Sequence, residues 1–519
     1  MIRFLLPLAV LLSAAASLAV ELAIVRLGAP YLGQSLLPWS AAIASVLLGL
    51  TAGHVLGGLA GGEAATSRVL RGWLSAMWLA AGVAALAMPV LIGPVASAFA
   101  GENGFGLDAV AAIAALAAPP SFAAGFVSPL ALRLAARTPS LALPRMVGAI
   151  YAASAIGSVA GTALAGFVVL ERFGAAGLAY LAGEVWLLLG VLALPARKPA
   201  VVAPVYGLVL AAIGVLPWLG GQQCLVESRY TCIRLLDKPL AGGDLLRFMI
   251  LDEGVHSASD RDRPQHLHLG YAALADRLAQ AAFENVAKPR ALVIGGGGAT
   301  LPRAWANAAK PAAATVIELD AEVADMARDI MWAGRSNRLD TLIGDGRAVL
   351  RALPRRPAYD VVLMDAYRSR SVPPHLVTAE FNGEVAGRLT SSGVYISNVI
   401  DRADPPLLAL SIAATLATAF PVVDLWSAET PSGGTTNIVV AAWASRENAL
   451  RPPQLVVDAT VMDAGDAVRT QAVTWRRLDL AAARARGPRA GAAILTDDWT
   501  PVDRLLAGRA VCDQREARR

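Results

Sequence analysis

The chain has 519 residues, of which 56% are hydrophobic and only 16% charged, and it carries a formal charge of +5. A soluble domain carries about 25% charged residues, so the composition, with a mean hydropathy of +0.53, excludes a wholly soluble protein. The basic residues are scattered and not interleaved with aromatic ones, which argues against nucleic acid as a partner.

The average hides a division. From Met1 to Gly221 almost every window of twenty is apolar, and from Gln222 onward charge arrives at ordinary density. A helix needs about 20 apolar residues to cross about 30 Å of hydrocarbon, because lipid offers backbone groups no other partner. Seven stretches meet this, approximately 5–28, 38–61, 73–95, 108–134, 146–169, 174–194 and 201–220. The first also resembles a signal peptide, but its apolar run continues through VELAIVRLG, which favours an uncleaved span. The fourth contains Pro119 and Pro120, where a kink or break is expected. GLTAGHVLGGLAGG and AASAIGSVAGTALAG place small residues three and four apart, a pattern that lets helices approach closely. Glu21 and Arg26, near the end of the first span, are placed to pair or to reach lipid headgroups.

The lipid bilayer is therefore the first predicted partner, as for a multi-pass protein of a bacterial inner membrane. Arg68 and Arg71, then Arg133, Arg137 and Arg145, then Arg197 and Lys198 mark alternate loops. Positive residues stay cytoplasmic, so Met1 is expected inside, and seven crossings put the soluble part outside. Cys224 and Cys232 are placed to form a disulfide there.

After residue 221, QCLVESRYTCIRLLD and LLRFMILDEGVHSAS read as short antiparallel strands, and YAALADRLAQAAF as a helix. RALVIGGGGAT is a buried strand running into glycines, followed by helix PRAWANAA, strand ATVIELD, helix AEVADMARDIM, a further strand–turn–helix in DTLIGDGRAVLRAL, and strand YDVVLMDAY. This alternation predicts a mostly parallel, doubly wound α/β sheet of Rossmann-like, class I methyltransferase type, which binds ligands outside the carboxyl ends of its strands. The predicted organisation is a seven-span helical membrane bundle over 1–221, a small N-terminal β subdomain over 222–270 and the nucleoside-binding domain over 271–519.

The run lacks both GxGxxG and GxxxxGK[ST], which argues against a dinucleotide or a triphosphate as the ligand. Gly295, Gly296 and Gly297 leave bare backbone at the first strand end, Glu318 is placed to accept from ribose hydroxyls, and Asp345 beside Gly346 from an adenine amino group. Together they point to an adenosine ligand without a diphosphate, namely S-adenosylmethionine or its decarboxylated form as co-substrate, with no tightly bound cofactor. Asp365, at the fourth strand end, is the candidate base. Tyr367 and Pro373–Pro374 follow in a loop able to close over substrate, and Asp497 and Asp498 either reach this cleft or act as capping acids. Four of the five histidines are His256, His266, His268 and His375, but without cysteine or a fixed acid spacing they predict no metal.

The motifs LLDKPLAGGDLLRFMILDEGVHS, VIGGGGATLPR, VIELDAEVADMAR, IGDGRAVL, YDVVLMDAY, VTAEF and LTDDWTPVDRLL resemble those of the spermidine synthase family, specifically its bacterial members with a multi-span membrane half. The resemblance covers about 222–505. It implies transfer of an aminopropyl group from decarboxylated S-adenosylmethionine to an amine or polyamine, with release of methylthioadenosine. It also implies that Glu318 holds the ribose, that Asp345 lies near the adenine, that Asp365 is the base, and that the soluble domains pair as a homodimer. His256, Asp252 and Tyr367 are the candidate acceptor contacts. The departures are specific. The acid of GGGDGG is absent and Gly298 stands in or near its place; Arg368 replaces the second acid of the DSSDP loop; no glutamate follows Gln265-His266-Leu267-His268; and His256 stands where glutamine is usual. Methyl or other alkyl transfer from S-adenosylmethionine stays open, as does a transporter or receptor whose soluble half senses a nucleoside or polyamine. A cytoplasmic donor puts the soluble half inside, against the charge count.

Overall fold

Because lipid-compatible sequence satisfies its backbone only within a helix, the apolar part folds as α1 (Ile2–Leu32), α2 (Leu36–Leu59), α3 (Ser67–Ala98), α4 (Leu107–Gly125), α5 (Val127–Ala136), α6 (Leu143–Leu164) and, after a π-turn, α7 (Leu170–Ala193). The computed structural model describes residues 2–32, 36–60, 62, 64–99, 107–137, 143–195, 204, 207, 224–240, 243–367, 371–428, 434–462, 468–478 and 492–508. Among them, five helices are long and apolar enough to cross a membrane: Leu5–Leu32, Pro38–Leu59, Ser67–Ala98, Val110–Ala136 and Pro144–Ala193. This corrects the expectation of seven. The predicted spans 146–169 and 174–194 run on as one helical stretch, interrupted only where Gly174 takes φ 68° and ψ −178°. The predicted span 201–220, apart from residues 204 and 207, lies outside the described residues. Pro119 and Pro120 lie within α4, and the helix boundary comes later, at Phe126.

Close approach of helix backbones explains the small residues. Gly49, Gly53 and Gly57 lie one turn apart on α2 and face α4 and the start of α5. A β-carbon at Gly49 would stand 2.8 Å from the Ala118 carbonyl oxygen, and one at Gly53 would overlap that of Phe122. Polar pins add direction, since Trp78 and Trp186 each donate an indole N–H to Ser13 Oγ at 3.0 Å.

The first compact unit extends to Cys232, past the predicted boundary at 221. Cys224 and Cys232 are joined as a disulfide with S–S 2.04 Å, closing a turn that contains the two-residue strand β1 (Val226–Glu227). Arg26 donates to the carbonyls of Tyr230 at 2.6 Å and Ser228 at 2.7 Å. Ala175 N–H, left without a helical partner by the break at Gly174, donates to Glu227 Oε2 at 2.9 Å. A cavity of about 430 Å³ lies here, lined by Arg26, Glu171, Arg172, Tyr180 and Glu227 among others.

The second unit, Ile233–Arg519, begins with antiparallel strands β2 (Cys232–Pro239), β3 (Leu245–Leu251) and β4 (Gly254–Asp260). These strands are not the separate N-terminal β subdomain predicted for 222–270, because Ile233 onward belongs to the same compact unit as the main sheet. Then follow α8 (Gly270–Phe283), β5 (Arg290–Ile294), α9 (Thr300–Ala306), β6 (Ala313–Glu318), α10 (Ala321–Asp329), β7 (Leu339–Ile343), α11 (Gly346–Ala352), β8 (Tyr359–Met364), α12 (Ala379–Ala386), β9 (Leu389–Arg402), α13 (Leu407–Leu416), β10 (Val422–Ala428), β11 (Thr435–Trp443), β12 (Gln454–Met462), β13 (Val468–Leu478) and α14 (Val502–Leu506).

The main sheet has nine strands in the order β12-β13-β10-β11-β9-β8-β5-β6-β7. Pairing is parallel from β9 through β8, β5 and β6 to β7, and antiparallel across the other strands. The domain is thus Rossmann-like but mixed, correcting the mostly parallel expectation. The hairpin of β10 and β11 folds back beside β9, and beyond β9 the strands alternate in direction, with β11 and β13 running against the parallel set. Leu274, Leu278 and Phe283 of α8 fill one side of the core, and Phe381 of α12 and Leu410 of α13 fill another.

Candidate active site

The parallel strands place four predicted residues at adjacent carboxyl ends. β5 ends at Ile294 and its chain turns at Gly295, whose φ is +92°. A β-carbon there would stand 2.5 Å from the Asp365 carbonyl oxygen and 2.6 Å from Ala366 Cα. The bare backbone is therefore needed first by the protein itself, where β5 and β8 end side by side; Asp365 N–H donates to the Ile294 carbonyl at 2.9 Å.

Glu318, at the end of β6, clamps the glycine loop. Its Oε2 accepts from Gly296 N–H at 2.8 Å and Gly297 N–H at 3.1 Å, and its Oε1 from Asp320 N–H at 3.1 Å. Burial pushes its pKa up, and these N–H donors oppose the rise. A carboxylate has about four lone-pair sites, and a backbone hydrogen bond from Leu319 adds a fourth donor. Gly298 N–H donates to Ser257 Oγ at 2.7 Å, which brings β4 against the loop and with it His256, whose Nδ1 lies 3.0 Å from the Gly254 carbonyl.

Asp365 is half-buried, with both carboxylate oxygens engaged by neutral donors. Tyr271 O–H donates to Oδ2 at 2.9 Å, and Asn398 Nδ2 to Oδ1 at 2.8 Å. Asn437 Nδ2 in turn donates to Asn398 Oδ1 at 2.9 Å, fixing the amide's orientation. Burial raises the Asp365 pKa to about 6, against the lowering effect of Asn398 and Tyr271. A carboxylate so placed is a base above that pH and keeps a usable proton affinity near neutrality.

The other expected contacts have partners within the protein. Asp345 caps α11, accepting from Arg347 N–H at 3.1 Å and Ala348 N–H at 2.9 Å, and its Oδ2 meets His375 Nε2 at 2.7 Å. Burial would raise its pKa, but Ala348, His375 and Arg347 hold it below the usual value. Gly346 packs against Ile294. Asp252 is buried in the β3–β4 turn with φ 53°. Tyr367 O–H donates to the Asn398 carbonyl at 2.6 Å and accepts from Ile400 N–H at 2.9 Å, so it is anchored to β9. Asp497 grips Arg347 at 2.6 and 2.9 Å. Arg368 lies outside the described residues. Tyr271, Asn398 and Asn437 went unnoticed in the sequence; a single asparagine within the apolar strand VYISNVI was the available signal for Asn398.

With that geometry in view, residues 278–451 match the family model of the spermine/spermidine synthase domain. A polyamine aminopropyltransferase of Vibrio vulnificus is 33% identical over 115 residues, covering 22% of this chain and 38% of the relative. A human eEF1A lysine and N-terminal methyltransferase is 27% identical over 182 residues, covering 33% of this chain and 25% of the relative. The chain therefore spans well under half the length of these curated relatives. Among solved structures, a probable spermidine synthase from Corynebacterium glutamicum is similar at 25% identity with a TM-score of 0.38, over 42% of this chain and 78% of that one. One from Thermotoga maritima is similar at 17% identity with a TM-score of 0.32, over 43% and 77% respectively. The second unit of this chain thus contains a spermidine-synthase-like core domain, and the helices before it are candidates to span a membrane.

Proposed function

We propose that the second unit is a membrane-tethered transferase that moves the aminopropyl group of decarboxylated S-adenosylmethionine to an amine or polyamine, with Asp365 as the base. The observation that carries this reading is the Asp365 carboxylate, held by Tyr271 and Asn398 at the strand end where β5 and β8 meet. The acceptor arrives as an ammonium, and its nitrogen attacks only after losing a proton. Asp365 takes that proton; the lone pair then forms the new N–C bond at the methylene beside the sulfonium. The C–S bond breaks with its electrons going to sulfur, which leaves as neutral methylthioadenosine. Glu318, with the Gly295–Gly297 backbone, is the proposed seat of the ribose, and Asp345 with Gly346 flanks the adenine. His256 lies on the strand beside that loop. The decisive experiment incubates purified protein with the decarboxylated donor and several diamines and measures methylthioadenosine. If none forms and none of methylthioadenosine, S-adenosylmethionine and the decarboxylated donor binds, the reading is lost.

Methyl transfer from S-adenosylmethionine is the second reading. It is favoured by Gly298, which places no acid against a donor that keeps its carboxylate, and by the methyltransferase relative. Release of S-adenosylhomocysteine in place of methylthioadenosine identifies it. The Cys224–Cys232 disulfide supports an oxidising side for this turn, whereas a donor made in the cytoplasm supports the other. Thiol labelling of intact cells before and after reduction decides between them.

A further inference from the structure

We propose that Asp260, His266 and His268 form a zinc(II) site that ties the end of β4 to the start of α8. None of the three has a part in the transfer chemistry above, yet they are drawn tightly together. The Asp260 side chain is fully buried, His268 is 1% exposed and His266 32%. Asp260 Oδ1 lies 2.6 Å from His268 Nε2, and Oδ2 lies 2.8 Å from His266 Nδ1. One ligand atom from each residue lies within 4.8 Å of the others, and the two imidazole rings are 4.4 Å apart. The histidine spacing alone predicts no metal; the structure supplies the missing acid from the preceding strand.

Burying a carboxylate is costly unless it is paired, and two imidazoles with a carboxylate are a donor set that zinc accepts with its fourth position open. The supporting contacts are those of a ligand site. His268 Nδ1 lies 2.5 Å from Thr460 Oγ1. A hydroxyl donates or accepts, so when Nε2 binds the ion, Nδ1–H donates to Thr460, the outer partner that metal-bound histidines usually have. The Asp260 backbone carbonyl is held by Arg303 at 2.6 Å. Around a tetrahedral zinc, donors about 2.0 Å from the ion stand about 3.3 Å apart. Binding therefore opens the His268–Asp260 contact by about 0.7 Å and the His266–Asp260 contact by about 0.5 Å, and draws in donors now up to 4.8 Å apart, with the half-exposed His266 ring the freer of the two to move. Arg263 Nη2, 3.0 Å from Asp260 Oδ2, competes for one oxygen. Its side chain is 53% exposed and also bonds Asp244 at 3.2 Å, so it has somewhere to withdraw to. Nitrogen and oxygen donors bind zinc(II) more tightly than manganese(II) or iron(II).

The ion would join two segments that serve the candidate site. β4 carries Ser257, bonded to Gly298, and α8 carries Tyr271, bonded to Asp365.

The test uses the full chain in detergent, without a polyhistidine tag, stripped with a chelator and titrated with zinc(II) against a colorimetric chelator. One equivalent per chain is expected, and cobalt(II) should give the intense visible bands of a tetrahedral site. His266→Ala, at a half-exposed position, should weaken zinc binding at least about 100-fold and Thr460→Val about 10- to 100-fold, with the fold checked by circular dichroism. His256→Ala and His375→Ala should leave the affinity unchanged. Absence of zinc binding at micromolar concentration overturns the proposal. So does an affinity unmoved by His266→Ala, or the weak cobalt bands of octahedral coordination. None of these readouts depends on transferase activity.

Discussion

Glycine does related work in the two units, and the contrast separates scaffold from site. On α2, Gly49, Gly53 and Gly57 bring one helix backbone against another over three successive turns, so the close approach is spread along an element. In the second unit Gly295 also lets backbone meet backbone, where the chain leaving β5 touches Asp365 and Ala366. Here the approach is confined to one strand end and delivers a titratable carboxylate. The helical stripe has apolar neighbours and is purely a packing device. What makes the sheet glycines part of a candidate site is the company of Glu318 and Asp365, not the glycines themselves.

That contrast predicts effects that separate by unit. The largest falls on Asp365→Asn, which should lower kcat/KM for amine transfer about 10²- to 10⁴-fold, measured as methylthioadenosine release, while donor binding and the helical unit's melting stay unchanged. Transfer that persists in this variant removes Asp365 as the base. Next is Gly295→Ala. The added β-carbon combines a left-handed backbone with overlap on Asp365, and should cost about 1–3 kcal/mol, read in the denaturation of the second unit, and displace the carboxylate so that activity falls too. Gly53→Leu should cost a similar or smaller amount, about 1–3 kcal/mol from overpacking, but in the helical unit alone, with kcat/KM at 25 °C retained. Equal loss of activity in both glycine variants would erase the distinction.

The division into apolar and soluble parts was plain in the composition, and the strand–helix order from β5 to β8 was plain in the periodicity. So was the break at Gly174, since Glu171 and Arg172 interrupt the apolar run where the predicted spans 146–169 and 174–194 divide. Two things were not. GGTTNIVVAAW reads as a strand, but its insertion between β9 and β10 is a matter of topology, which local pattern does not encode. The partners of Asp365 come from 94 and 33 residues away, and only folding reveals such pairs. The glycine run was legible as a place of close approach; that at Gly295 the protein's own backbone takes up that space was not.

The smallest effects are the most specific to Asp365. Burial raises its pKa to about 6, so the folded protein holds this proton at a pH where a solvated aspartate has lost it. Base function is present above that value and is lost as pH falls through it. At pH 5 about one-tenth of the plateau rate should remain, provided the acceptor's own protonation is corrected for. Tyr271→Phe keeps the ring and removes one hydrogen bond to the carboxylate. Since that bond lowers the Asp365 pKa, the acid limb should move to higher pH, with the plateau reduced only a few-fold. A purely structural role for Tyr271 would lower the plateau and leave the limb where it was. The pH profile thus separates a residue that tunes the base from one that only packs beside it.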